Sequence, residues 1–236
     1  MLQINDLFNY ENLKIVQNDE WFKFSLDSVL LAEYVKIEAG DTNIIDLCSG
    51  NLPIPFILST KYDRTYHAIE LQKEIYDCGI KSMELNNLED KINFINDDVK
   101  NIFNHVEKET FDIVTCNPPY FKNSLKNSNT IKSVARHEIK ITLEDIISVS
   151  SKLLKDNKKF YLSHLPERLD EIILLCTKYH LNVKEIVMIN NSNLEPVLVL
   201  IKAVKNAKHG LKIRYLNNVD KIKDYKNIFE GDILWN

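Results

Sequence analysis

Apolar residues recur in short runs separated by amphipathic stretches along most of the chain. NIIDLC (43–48), TYHAIEL (65–71), KINFIN (91–96), FDIVTC (111–116), KKFYLSH (158–164), VKEIVMI (183–189) and PVLVLIKAV (196–204) have the length and residue content of strands. Helical periodicity occupies DSVLLAEYVKI (27–37), QKEIYDCGIKSMELNN (72–87), LEDIISVSSKLL (143–154) and ERLDEIILLCTKY (167–179). Asp27 stands where a side chain would cap the first of these helices. Alternation at this pace predicts an α/β fold: a Rossmann-like, doubly wound, seven-stranded sheet, mostly parallel and covered on both faces. The last two strands have only NNSNLE between them. That is too short for a helical crossover, so an antiparallel hairpin is expected at the sheet edge.

The 236 residues fit one domain, read as an extension with a helix (1–40), a core (41–204) and a weakly patterned tail (205–236). No apolar run approaches the ~20 residues of a membrane span. The N-terminal MLQINDLFNYENLK carries acids rather than a basic-then-apolar signal. A cytoplasmic location without a membrane partner is expected. Cys48, Cys78, Cys116 and Cys176 are scattered and form no CxxC pair, so neither a metal site nor a disulfide framework is expected. Cys116 reads as a buried strand residue. The net charge of −4 is unevenly spread. Residues 1–120 hold 10 Lys and Arg against 21 Asp and Glu, whereas 121–160 hold nine against four and 199–236 eight against four. The basic stretches suit a phosphate-contacting face, and equally a solvated Lys-rich surface.

Ligands of open α/β sheets bind beyond the carboxyl ends of the strands. The turn after the first predicted strand is DLCSGN. The second strand ends in Glu70, 24 residues after Asp46, near the ~20-residue spacing at which an acid holds a ribose hydroxyl pair. The third is followed by Asp97 and Asp98, where a side chain could accept from an adenine amino group. Each also has a structural reading, as a glycine turn or a helix start.

The fourth strand ends in NPPY, Asn117-Pro118-Pro119-Tyr120. An Asn carbonyl and a proline backbone carbonyl offer two acceptors to a planar amino group and hold its nitrogen toward a methyl donor. Tyr120, with Phe121, offers a stacking surface for a flat ring. A rigid turn is the structural alternative. The polar, basic KNSLKNSNTIKSV (122–134) that follows has the length of a binding loop or lid.

The order DLCSG, IEL, NDD, NPPY resembles class I S-adenosylmethionine-dependent methyltransferases that act on an amino group. With FSLDSVLLA (24–32), NPPYFK (117–122), ARHE (135–138) and TLEDIISVSSKLLK (142–155), the chain from about residue 10 to 204 is similar to the bacterial tRNA(Val) adenine N6-methyltransferases. These modify the adenine beside the anticodon. The resemblance implies S-adenosyl-L-methionine as cofactor and tRNA as partner. It implies that Asp46, Ser49 and Gly50 line the methionine side, that Glu70 with Leu71 holds the ribose, and that Asp98 with Val99 borders the adenine. Asn117 to Tyr120 would hold the target base, with Phe121 and Lys122 beside it. Arg136 and His137 would anchor the loop or touch RNA, a structural salt bridge through Arg136 being the alternative. Asp27 would approach the methionine end or cap its helix.

One stretch departs from that family, which usually reads Gly-Ala-Ile-Pro where this chain has Leu52-Pro53-Ile54-Pro55. Leu52 is expected at φ < 0 with its side chain in the core. Pro53 and Pro55 fit only in the first turn of a helix that begins late. The site is expected to be retained, with weaker cofactor binding as the open question. Glutamine methyltransferases of release factors share NPPY but typically carry a helical domain ahead of the cofactor motif; here 45 residues precede Asp46. DNA adenine methyltransferases usually add a target-recognition region. A degenerate RNA-binding fold without turnover is the non-enzymatic alternative.

Overall fold

The computed structural model describes residues 2–8, 10–18, 26–119 and 141–230. Tyr120, Phe121, Lys122, Arg136 and His137 lie outside them, as does the basic segment 122–134. Ten strands are described: β1 (Leu2–Leu7), β2 (Tyr10–Asn18), β3 (Asn43–Leu47), β4 (Thr65–Glu70), β5 (Ile92–Asn96), β6 (Phe111–Cys116), β7 (Leu154–His164), β8 (Leu181–Asn190), β9 (Pro196–Lys205) and β10 (Lys212–Leu216). The main sheet has the order β10-β8-β9-β7-β6-β3-β4-β5. Strands β7, β6, β3, β4 and β5 run parallel, and β9 lies antiparallel between β7 and β8. All seven predicted strands are present and the hairpin β8–β9 forms as expected. It does not end the sheet, because β10 pairs parallel to β8 and takes the edge.

Among the described residues five α-helices pack on the sheet: α1 (Leu26–Tyr34), α2 (Pro53–Lys61), α3 (Lys73–Asn86), α4 (Leu143–Leu153) and α5 (Leu169–Lys178). Helix α1 starts one residue before Asp27, which sits in the first turn rather than at the cap. An acid there still interacts favourably with the helix dipole. Helix α4 has a capping box, Thr142 Oγ1 accepting from the Asp145 N–H while Asp145 Oδ2 accepts from the Thr142 N–H.

Alternate residues of the central strands serve two cores. Ile44, Ile113 and Tyr161 face the side of α1, α2 and α3, whereas Ile45, Val114 and Phe160 face α4 and α5. Cys116 is fully buried, as its setting predicts. Helix α3 approaches β5 closely at Gly79, where an added Cβ would lie 2.4 Å from the Phe94 ring.

Strands β1 and β2 form a separate antiparallel hairpin where the sequence pattern shows only an extension. Leu2 and Ile4 of β1 are exposed, so it lacks a clean buried face. Strand β2 docks on α3 through side chains: the Lys14 N–H donates to Asn86 Oδ1 at 2.9 Å and the Val16 N–H to Ser82 Oγ at 2.8 Å. Asn86 Nδ2 donates back to the Lys14 carbonyl at 2.7 Å. None of the helices among the described residues is long and apolar enough to cross a membrane.

An ion network around two buried carboxylates ties the strands at their amino ends. Asp112 Oδ2 accepts from the N–H groups of Thr42 and Asn43, each at 3.0 Å, and its Oδ1 lies 3.1 Å from Lys155 Nζ and from Lys158 Nζ. Asp41 accepts from Lys158 at 2.8 Å and Lys159 at 2.9 Å. Burial pushes both carboxyls up, but the N–H groups and ammonium groups outweigh it and hold both below the ordinary value. Groups depressed in this way contribute stability above the unfolded value of about 3.9, and that contribution is lost as the pH falls through the folded value. Asp112→Ala leaves two amide donors without their acceptor, at a cost of roughly 1–3 kcal/mol for each. Thermal melts from pH 7 to pH 2.5 are expected to show a lower Tm for Asp112→Ala at neutral pH and a shallower fall below about pH 4 than in the wild type.

Candidate active site

The chain order reverses between β3 and β6: β4 and β5 extend the sheet from β3, and β7 extends it from β6 on the other side. This switch point opens a crevice at the carboxyl edge. Asp46 of β3 and Thr115 of β6 are register partners across it, and Thr115 Oγ1 donates to Asp46 Oδ1 at 2.5 Å. Asp46 Oδ2 is buried and has no hydrogen-bond partner among the described residues. Burial raises the Asp46 carboxyl to about 7; the Thr115 hydrogen bond opposes this, and the neighbouring Glu70 reinforces it.

The β3–α2 turn folds back on the sheet. The Ser49 N–H donates to the Ile69 carbonyl at 3.0 Å, and Ser49 Oγ to the Asp46 carbonyl at 2.7 Å. Its hydroxyl is therefore engaged in closing the turn. Gly50 has φ 58° and donates its N–H to Glu70 Oε2 at 3.0 Å, while Glu70 Oε1 accepts from the Gln72 N–H at 2.8 Å. Burial raises the Glu70 carboxyl against those two N–H groups, and each oxygen keeps a lone pair for a ligand hydroxyl. A Cβ on Gly50 would meet nothing within 4 Å, so the turn presents open backbone there.

At the next strand end, Asn96 Nδ2 donates to the carbonyls of Glu70 (2.9 Å) and Leu71 (3.3 Å), binding β5 to β4. Asp98 Oδ1 accepts from the Lys100 N–H at 2.9 Å and caps the 3-10 turn Val99–Asn104. The Val99 side chain is buried in the core. Asp97 bonds Asn101 and His105 at 2.9 and 2.8 Å.

Asn117 follows β6 directly, with Pro118 buried and Pro119 exposed. Its Nδ2 donates to Ser28 Oγ of α1 at 2.8 Å, and its Oδ1 accepts from Ser163 Oγ of β7 at 2.6 Å. Asp27, beside Ser28, lines an open cavity of about 310 Å³ with Leu26, Leu30, Ile189, Val197, Leu198 and Val219. The arrangement thus brings Asp46, Ser49, Gly50, Glu70, Leu71, Asp98 and Asn117 to one edge, over four neighbouring strand ends. Thr115, Ser28, Ser163 and Asn96 support them, and sequence reasoning missed all four. Strand alternation could have pointed to Thr115 and Ser163, which share a face with Ile113 and Tyr161.

The methyltransferase small domain family matches residues 22–162. The chain belongs to that family. Among its relatives is the tRNA1(Val) (adenine(37)-N6)-methyltransferase of Cytophaga hutchinsonii, 24% identical over 158 residues that span 67% of this chain and 66% of the relative. The protein of that name from Bacteroides thetaiotaomicron is 23% identical over 230 residues, 95% of either chain. In fold, the chain is similar to a predicted O-methyltransferase from Agrobacterium tumefaciens, with a TM-score of 0.65 at 23% identity over 80% of this chain and 85% of that one.

Leu52 departs from expectation in its backbone. It has φ 74° and ψ 30°, a left-handed conformation that favours glycine, while its side chain is fully buried as expected. The turn geometry imposes the backbone, since the Leu52 N–H donates to the Ser49 carbonyl and its own carbonyl accepts from the Phe56 N–H. Pro53 and Pro55 then fall in the first turn of α2, where no N–H is needed, as expected. The left-handed backbone costs roughly 1–2 kcal/mol. Full burial of a leucine contributes roughly 1.5–3 kcal/mol, and the cavity left by its removal adds to the loss. Leu52→Gly is therefore expected to lower stability by about 1–3 kcal/mol in urea titration; a gain would mean that the strain dominates.

The open backbone at Gly50, the two acceptors of Glu70 and the orphan oxygen of Asp46 fit S-adenosylmethionine, a cation with a ribose. A cation bound beside Asp46 would favour its ionised form, so affinity would be highest above about pH 7, where the carboxylate is already formed. Calorimetric Kd values measured from pH 8 to pH 5.5 are expected to weaken below about 7, by up to tenfold per pH unit. Asp46→Asn should flatten that profile.

Proposed function

We propose that this chain transfers a methyl group from S-adenosylmethionine to the N6 amino group of an adenine in tRNA, the adenine beside the anticodon of a valine tRNA. The observation that carries the reading is Asn117: a carboxamide with its oxygen fixed, at the end of β6, next to the turn suited to the cofactor. The names of the relatives support the tRNA and the adenine.

S-adenosylmethionine supplies an already activated methyl group, so the chain needs to form no covalent intermediate. Asn117 Oδ1 and the Pro118 carbonyl accept the two N6 hydrogens, which turns the nitrogen lone pair away from the ring plane and toward the donor. Both acceptors strengthen as positive charge develops on that nitrogen, which is where transition-state stabilisation acts. Glu70 and Gly50 would hold the ribose of the cofactor and so fix its position relative to Asn117. A base in an anticodon loop is already partly unstacked, so extruding it into this crevice costs less than from a duplex.

The test is incubation of the protein with S-adenosylmethionine and unmodified tRNA(Val) transcript, then mass spectrometry of the nucleosides, with DNA and a release-factor glutamine peptide in parallel. N6-methyladenosine from tRNA alone is expected. Asn117→Ala should lower the rate by about 10²–10³-fold while cofactor affinity stays within about twofold. Loss of cofactor binding in that variant would count against the role given to Asn117.

A further inference from the structure

The side chain of Asn117 ends in a torsion with no sharp minimum, so nothing intrinsic to the residue fixes the plane of its carboxamide. In this structure two serines from different elements fix it. Ser163 Oγ lies 2.6 Å from Asn117 Oδ1, and because a carbonyl oxygen only accepts, the Ser163 hydroxyl must donate. Asn117 Nδ2 donates to Ser28 Oγ at 2.8 Å on the opposite side. Ser163 is fully buried and Ser28 is 4% exposed.

The pairing follows from the fold. Ile113, Thr115 and Asn117 alternate onto one face of β6, and Tyr161 and Ser163 onto the same face of β7. Asn117 and Ser163 stand one residue beyond the last ladder pair, Cys116 and Leu162, so their side chains adjoin. The first turn of α1 crosses that face and delivers Ser28. Three separate elements thus converge on one carboxamide.

We propose that Ser28 and Ser163 are positioning residues that clamp Asn117 with one carbonyl lone pair directed to the substrate's amino group. This rests on the reading of Asn117 as the amino acceptor. The clamp matters because an amino group about to be methylated presents two N–H donors. A carboxamide rotated by half a turn would meet them with its own N–H donors, and attraction would become repulsion. Ser163 occupies one lone pair of Oδ1 and Ser28 one N–H, which leaves a single acceptor site facing the crevice.

The test separates the clamp from the activity. Wild type, Ser163→Ala, Ser28→Ala and the hydroxyl-retaining Ser163→Thr and Ser28→Thr are prepared with 15N-labelled asparagine, and the Asn117 amide pair is assigned from its loss in Asn117→Ala. In wild type its two protons should be distinct and slow to exchange; in either alanine variant they should exchange about tenfold faster, the worth of one hydrogen bond. With tRNA as substrate, the alanine variants should lower kcat by about 10–100-fold at unchanged cofactor Kd, as expected for a misplaced reacting group. At least one threonine variant should restore it. Unchanged amide exchange and unchanged kcat in both alanine variants, with the fold intact by melting, would overturn the proposal. If wild type methylates no tRNA, the substrate reading fails, while the amide exchange still decides whether the clamp exists.

Discussion

The hydrogen bond from Thr115 to Asp46 joins the two strands at which the sheet reverses its order, and the site depends on that junction. It is formed in a fully buried setting, where an unmatched carboxylate is costly and a satisfied one is strong. Among the described residues, the second oxygen of Asp46 is left without a partner at the head of the crevice. The β3–α2 turn is built outward from the same residue: Ser49 closes on the Asp46 carbonyl, and Gly50 reaches across to Glu70 on the next strand. Loosening the junction would shift the turn and Asn117 relative to each other, and their relative placement is what an in-line transfer requires.

The two edges of the sheet have different tasks. At the amino ends, Asp41 and Asp112 gather three lysines and three backbone amides into a network. At the carboxyl ends, buried polar groups are left partly unsatisfied or clamped in one orientation. Stability and chemistry are thereby separated by the length of the strands, with the apolar cores between them.

Much of this was legible in the chain, for reasons that can be named. Strands buried on both faces appear as continuous apolar runs, and all seven were found. The hairpin β1–β2 and strand β10 were not, because Leu2, Ile4, Ile213 and Tyr215 are exposed and no clean alternation marks a buried face. Strand-end chemistry was legible because Asp46 interrupts an apolar run near its end, Glu70 ends a strand and Asn117 directly follows one. Their supports were not: Ser28, Thr115 and Ser163 are small polar residues inside apolar segments, and only the fold reveals what they touch. Leu52 was misjudged in its backbone because local sterics disfavour φ > 0, whereas the tertiary turn requires it and buries the side chain.

The position of β9 bears on how the chain reaches this state. Strand β7 emerges during synthesis with β6 as its neighbour on one side, while its other partner is β9, the second arm of a hairpin made later. Until that arm arrives, the nascent sheet carries an open edge of apolar residues, including Phe160 and Leu162. An unpaired edge of this kind is a template for pairing with other chains. The hairpin β8–β9 therefore covers that edge, and β10, later still in the chain, then pairs with β8. Ser163, which lies on β7 opposite Leu200 of β9, acquires its final setting only once β9 is paired.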